Sequence, residues 1–328
     1  MQYLISLIPV LLFLMLLYFL DSYKLVRFKT LSVAFISGAL IAVSAYFINT
    51  WFINHSNLSF DKYSRFFSPV LEEILKALII IFLIQKKKIG FLIDAGIYGF
   101  SIGAGFAVLE NLYYLNTLQD NSIGIWIVRG LGTSIMHCGA TALFAILSIG
   151  ALNLEKNKIT GIIPGITIAI ATHSVFNNFY IQPYIQTLVI IILIPLLLII
   201  IFKYNETQLK KWLEIEFFNE AELLNSMKKG VFSQSKSGKY LASLKEHFSS
   251  EIIVDMYCYI SVYLELSIKS KRNLLLAECE LPIVKESDID SKLKEFHQLR
   301  KIIGKSGELA LSPLIKLSNR DLWKLSNF

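Results

Sequence analysis

The sequence predicts an all-α fold: a polytopic membrane helix bundle of about seven transmembrane helices, then a helical cytosolic domain. Three observations predict it. Hydrophobic residues make up 54% of the 328 and charged residues 17%, against about a quarter charged in soluble globular chains. The apolar residues come in long runs rather than in alternation, and runs of about 20 residues, the length that crosses a ~30 Å hydrocarbon core, recur along the first 200 positions. From residue 203 on the composition changes: 20 of the 32 Lys and Arg and 17 of the 25 Asp and Glu lie there, interleaved, as on a solvated surface.

The expected spans are 3–20, 31–51, 67–85, 89–115, 125–152, 159–179 and 182–202. The first, "MQYLISLIPVLLFLMLLYFLD", has no basic leader and no small-residue cleavage site, so it reads as a retained helix rather than a signal peptide. Loop charge orients the rest. "DSYKLVRFKT" after the first span, "QKKK" after the third, "LEKNK" after the fifth and "KYNETQLKK" after the last are basic, whereas "NTLQDNS" after the fourth is not. The mild exception is 52–66, with Lys62 and Arg65 against Asp61. Basic loops stay cytoplasmic, so the expected topology in the cell membrane has the N-terminus outside and the C-terminal domain inside. The net charge of +7 then belongs to loops beside a membrane, not to a nucleic-acid patch. Residues 1–202 form the membrane core, and 203–328 a cytosolic domain with a regulatory or docking role. "EIIVDMYCYISVYLELS" at 251–267 is too acidic to span. Cys138, Cys258 and Cys279 are scattered without metal-ligand spacing.

Ionisable groups inside spans are expensive and mark function by default. The third span carries Glu72, Glu73 and Lys76, the fourth Glu110 and Asn111, the fifth Arg129, Thr133, His137 and Thr141, and the sixth His173, Asn177 and Asn178. At 1.5 Å per residue, Glu72 and Glu110 lie ~8 Å, His173 ~9 Å and His137 ~18 Å below the outer surface. Four helices thus put polar groups in one half of the bilayer. Facing agrees. Gly96, Gly99, Gly103, Ala107 and Glu110 share one helical face, as do Gly161, Gly165, Ala169, His173 and Asn177, and Arg129, Thr133, His137 and Thr141. Small residues let helices approach closely, so these faces turn inward.

Glu72 and Glu73 point ~100° apart, and Lys76 can neutralise either, leaving the other for chemistry. Two histidines with carboxylates make up the inventory of a hydrolytic zinc site, with three protein ligands, an open position and a Glu as base. The same groups suit metal-free hydrolysis, in which Glu and His activate water and Asn177 holds the oxyanion. Read singly, each has a structural account: Glu72 with Lys76 as an ion pair, His137 as a packing residue, His173 with Asn177 as a helix bridge, Asp94 and Arg129 snorkelling near helix ends. Arg129 could alternatively touch substrate carbonyls. Their co-location favours a catalytic centre.

"EEILK" (Glu72 to Lys76) fits an EExxK element, "FAVLEN" (Phe106 to Asn111) FxxxEN, "MHCGATA" (from Met136) a histidine element, and "HSVFN" (His173 to Asn177) HxxxN. In this order they resemble the PrsW family of intramembrane proteases, within the superfamily of CAAX-type and bacteriocin-processing membrane proteases, over about residues 1–200. The resemblance implies peptide-bond hydrolysis on a membrane-anchored protein at or in the lipid bilayer, in anti-sigma-factor-like regulated proteolysis. Related prenyl proteases carry FxxxH where this chain has Phe106 and Glu110, which points away from a CAAX substrate. The implied roles are Glu72 as general base, Glu73 as its support or as partner of Lys76, His137 and His173 as Zn2+ ligands or water-positioning groups with Glu110 completing the shell, and Asn177 stabilising the oxyanion or orienting His173. The competing readings are a proton- or cation-coupled transporter and a non-enzymatic membrane scaffold. The natural substrate and the oligomeric state are not legible.

Overall fold

A computed structural model describes residues 1–118, 122–153, 158–283 and 287–315. Most of "LEKNK", the centre of "NTLQDNS" and the last thirteen residues of the tail lie outside the described residues. All regular structure among the described residues is helical, and the chain divides into two compact units, Met1–Glu206 and Thr207–Phe328.

In the first unit α1 is Gln2–Phe19, α2 Phe28–His55, α3 Ser68–Gln85 and α4 Leu92–Thr117. Next, α5 comprises Ile123–Ile127, a π-helical turn Val128–Thr133 and Ser134–Asn153. Then come α6, Lys158–Asn178, and α7, Pro183–Lys228. Among the described residues, five helices are long and apolar enough to cross a membrane: α1, α2, α4, α5 and α7. Their burial differs sharply. The apolar window of α4 is 83% buried and that of α5 72%, against 22–28% for α1, α2 and α7. Hence α4 and α5 form the interior, and the others carry outward-facing leucines such as Leu12, Leu40 and Leu193, a surface stable only against lipid. Helix α3 has the length of a span but carries Glu72, Glu73 and Lys76 within 18 residues.

The small-residue stripe of α4 does what its spacing predicts. A Cβ on Gly103 would lie 2.5 Å from the Cys138 Cα of α5, and one on Gly99 2.7 Å from the Ala142 Cα of the same helix. Backbones this close need glycine. On α6, Gly161 and Gly165 meet Ala151 and Phe144 of α5 in the same way.

Three expectations are corrected. The last span does not end as a helix near 202: α7 runs on to Lys228, since "KYNETQLKKWLE" has polar residues but no Gly or Pro to break it. The 52–66 connection is not all loop, because Phe60–Lys62 is helical and Tyr63–Phe67 forms a π turn leading into α3. Asp94 does not snorkel. It is fully buried and accepts the Gly90, Phe91 and Ala95 amides at 2.8–2.9 Å, satisfying the orphan donors at the start of α4.

The second unit holds the end of α7, α8 (Lys236–Ser243), α9 (Ser250–Glu278) and α10 (Ile289–Leu311). Met256, Tyr259, Ile260, Leu266 and Phe296 centre its core, and Tyr259 stacks on Phe296 with centroids 4.9 Å apart. Glu216 and Glu220 of α7 each pair with the buried Lys271 of α9 at 2.9 Å.

Candidate active site

Three helices of the first unit converge on one buried point. Glu72, Glu73 and Lys76 come from α3, His137 from α5 and His173 from α6, and all five are buried. One donor atom each from Glu72, His137 and His173 lies within 4.8 Å of the others. The two imidazoles meet edge to face, with centroids 4.6 Å apart.

The adjacent glutamates separate as their ~100° offset requires. Glu73 faces Lys76 and His173: Lys76 Nζ donates to Glu73 Oε1 at 2.7 Å, and His173 Nδ1 donates to the same oxygen at 2.8 Å. Lys76 also lies 2.9 Å from His137 Nδ1 and 4.0 Å above the Phe106 ring. Burying an ammonium alone is prohibitive; a carboxylate, an imidazole and an aromatic face together offset that desolvation. Glu72 turns the other way. Its Oε1 accepts from the Ser68 hydroxyl at 2.5 Å and from Asn49 Nδ2 at 3.1 Å, and its Oε2 faces His173 Nε2 at 4.0 Å.

These contacts assign the tautomers. His173 spends its Nδ1 proton on Glu73, so Nε2 presents a lone pair toward Glu72. This is a carboxylate–histidine pair of the kind that orients metal ligands. An ammonium has only donors to offer, so His137 Nδ1 accepts from Lys76, and His137 Nε2, 3.2 Å from Glu110 Oε2, carries the proton.

Glu110, on α4, sits at the rim with a quarter of its side chain exposed. Its Oε2 also meets Arg129 Nη2 at 3.4 Å. The expected set of ligands was Glu110, His137 and His173; the three donors that cluster are instead Glu72, His137 and His173. The reason is that Glu110 is engaged by Arg129 and the proton-bearing nitrogen of His137. Arg129 does not snorkel either: its guanidinium lies 3.7 Å over the Tyr114 ring, and its Nε donates to Asn111 Oδ1 at 3.2 Å. Asn111 in turn donates to the Ser6 carbonyl and the Ser134 hydroxyl, each at 3.0 Å. The even +4 spacing of Arg129, Thr133 and His137 is interrupted by the π turn Val128–Thr133, a distortion frequent at functional sites. Asn177 donates its Nδ2 to the Ser64 carbonyl at 3.1 Å, tying α6 to the π turn before α3.

Reading the sequence missed Asn49, Ser68 and Tyr63. Tyr63 donates to Asn49 Oδ1 at 2.9 Å, and Asn49 Nδ2 donates to the Ser68 oxygen at 2.9 Å as well as to Glu72. A lone amide within the apolar run "SAYFINTWF" was the available signal.

The donors fit a metal ion. Glu72 Oε2 and His173 Nε2 face one another across a gap, both with lone pairs, and His173 is oriented from behind by Glu73. His137 would join them through Nδ1, whose lone pair faces Lys76 in this structure.

No curated protein and no solved structure matches the chain. A family model described as PrsW family intramembrane metalloprotease matches residues 27–202, a range that takes in all of the clustered residues. The match covers more than half of the chain, and the buried Glu, His and His lie inside it: the chain belongs to the PrsW family of intramembrane metalloproteases.

Proposed function

We propose that this endopeptidase cleaves a membrane-anchored protein in the outer half of the cell membrane, with α1 to α7 all crossing, the N-terminus outside and residues 203–328 cytosolic. Lys24, Arg27 and Lys29 follow α1, Lys86, Lys87 and Lys88 follow α3, and Lys203 follows the apolar run of α7, which supports that orientation. Release of a signal held by a transmembrane anti-sigma factor is the regulatory context the family suggests.

The observation that carries the reading is the convergence of Glu72, His137 and His173 from three helices within 4.8 Å. Two imidazoles and a carboxylate suit Zn2+. When bound, the ion supplies Lewis acidity and a water acidified toward neutral pH. The chain's own groups do the rest. Glu73 holds the His173 proton at Nδ1 and keeps Nε2 aimed inward. Lys76 balances the charge of Glu73. Glu110, partly open to water beside His137, takes the proton of the attacking water and returns it to the leaving amine. Arg129 holds Glu110 in place.

The bond between Lys76 and His137 favours a second reading. With His137 Nδ1 accepting from Lys76 at 2.9 Å, His137 serves as a donor rather than a ligand, and Glu72 Oε2 with His173 Nε2 activates water without a metal. The test is reconstitution of the purified protein with a tagged single-pass substrate, alongside metal analysis. Wild type cleaves, Glu72→Gln does not, and His137→Ala and His173→Ala lose bound zinc. Equal cleavage by wild type and Glu72→Gln overturns the assignment of Glu72; cleavage that survives complete chelation selects the metal-free route.

A further inference from the structure

We infer that Asn49, Ser68 and Tyr63 form a positioning clamp that makes Glu72 a one-oxygen group, committing Oε1 to the protein and presenting only Oε2 to the reaction. The inference rests on the reading that Glu72 belongs to the catalytic centre, and it extends that centre to α2 and to the π turn before α3.

The hydrogen-bond pattern allows one arrangement. Tyr63 donates its hydroxyl proton to Asn49 Oδ1 at 2.9 Å, which fixes the amide so that Nδ2 faces inward. The two amide protons then have two acceptors, the Ser68 oxygen at 2.9 Å and Glu72 Oε1 at 3.1 Å. Ser68, having accepted from Asn49, spends its own proton on Glu72 Oε1 at 2.5 Å. Every polar proton of the three side chains is used, and the chain of donation runs one way, from Tyr63 to Glu72. Glu72 Oε1 therefore receives two hydrogen bonds from fixed donors, while Oε2 faces His173 Nε2 at 4.0 Å.

The backbone makes the clamp possible. Ser68 is the first residue of α3, one turn before Glu72, so its hydroxyl reaches Oε1 along a single helical face. Tyr63 opens the π turn Tyr63–Phe67, its ring stacked near-parallel to Phe67 with centroids 6.2 Å apart. Asn177 of α6 holds that turn through the Ser64 carbonyl at 3.1 Å. The His173 helix and the Glu72 clamp are thereby braced against each other at a point outside the cluster. A carboxylate restrained on one oxygen binds or accepts with the other in one defined direction, the preorganisation that a ligand or a base needs.

The experiment uses the full-length protein in detergent with Zn2+ as the probe. It measures zinc affinity by chelator competition, kcat and KM on a tagged single-pass substrate, and thermal unfolding, for Tyr63→Phe, Ser68→Ala, Ser68→Thr and Asn49→Leu. The expected result is a graded loss, about 10- to 100-fold in zinc affinity and kcat for Ser68→Ala and Asn49→Leu and smaller for Tyr63→Phe, with KM unchanged and with recovery in Ser68→Thr, which keeps the hydroxyl. In the Glu72→Gln background Ser68→Ala should add nothing. Unfolding midpoints that fall while zinc affinity and kcat hold would make the three residues merely structural and overturn the clamp. Tyr63→Phe and Ser68→Thr change too little to unfold the chain, so the clamp stays testable if Asn49→Leu does not fold. If Glu72→Gln itself leaves zinc and cleavage intact, the underlying assignment of Glu72 fails; if Glu72→Gln is inactive and the clamp variants are not, the clamp alone fails.

Discussion

Lys76 in the first unit and Lys271 in the second are both fully buried lysines held by glutamates, yet their surroundings differ. Lys271 meets Glu216 and Glu220, whose side chains are 39% and 13% exposed, and Glu220 also accepts from the Ser267 hydroxyl. The contacts among these residues hold α9 to α7, and the rim of the network is solvated. Lys76 meets Glu73, 1% exposed, and the same carboxylate oxygen orients His173. Here the ion pair aims a lone pair toward Glu72, beside His137. A buried ion pair is scaffold when its partners end on each other, and a site when one partner passes its orientation on to a group with unspent lone pairs.

The largest expected effect separates the two networks by chemistry. Glu72→Gln should lower the cleavage rate by more than about 100-fold, beyond what loss of a group behind a ligand costs, whereas Lys271→Met should leave the rate unchanged; a matching loss in Lys271→Met would join the second unit to catalysis. Next comes stability, read by thermal or chaotrope unfolding in detergent. Lys76→Met leaves the enclosed Glu73 without its counter-charge and should cost about 3–5 kcal/mol. Lys271→Met leaves acids that reach water and should cost about 1–3 kcal/mol. Equal losses would erase the distinction. Third, Glu73→Gln keeps the volume but weakens the grip on His173 Nδ1, and should reduce zinc affinity by about 10- to 100-fold in a chelator competition.

Much of the site was legible because its signals are local. The spacing in "EEILK" and "HSVFN" puts Glu72, Glu73, Lys76 and His173 on buried faces, and the glycines of α4 mark where helices must touch. What stayed hidden was pairing. Nothing within α3 says whether Lys76 takes Glu72 or Glu73, since both lie within its reach on one helix; His173, 100 residues away, decides it. The same holds for Glu110. Its place in the FxxxEN element is plain, but its engagement by Arg129 depends on a π turn for which the sequence carries no clear mark. Asn49 was overlooked because a single amide in an apolar run has no periodic partner.

By itself, the chain's order of residues determined that long apolar helices would form, that polar groups would be carried into four of them, and that small residues would line the same faces, because helix length and facing follow from neighbours a few positions apart. Only the tertiary structure decided which carboxylate is bound to the lysine, which donors cluster and what restrains them. Those outcomes hang on distances between atoms tens to more than a hundred positions apart in sequence, and in a dry interior each polar group settles with whichever partner the packing brings within hydrogen-bond reach.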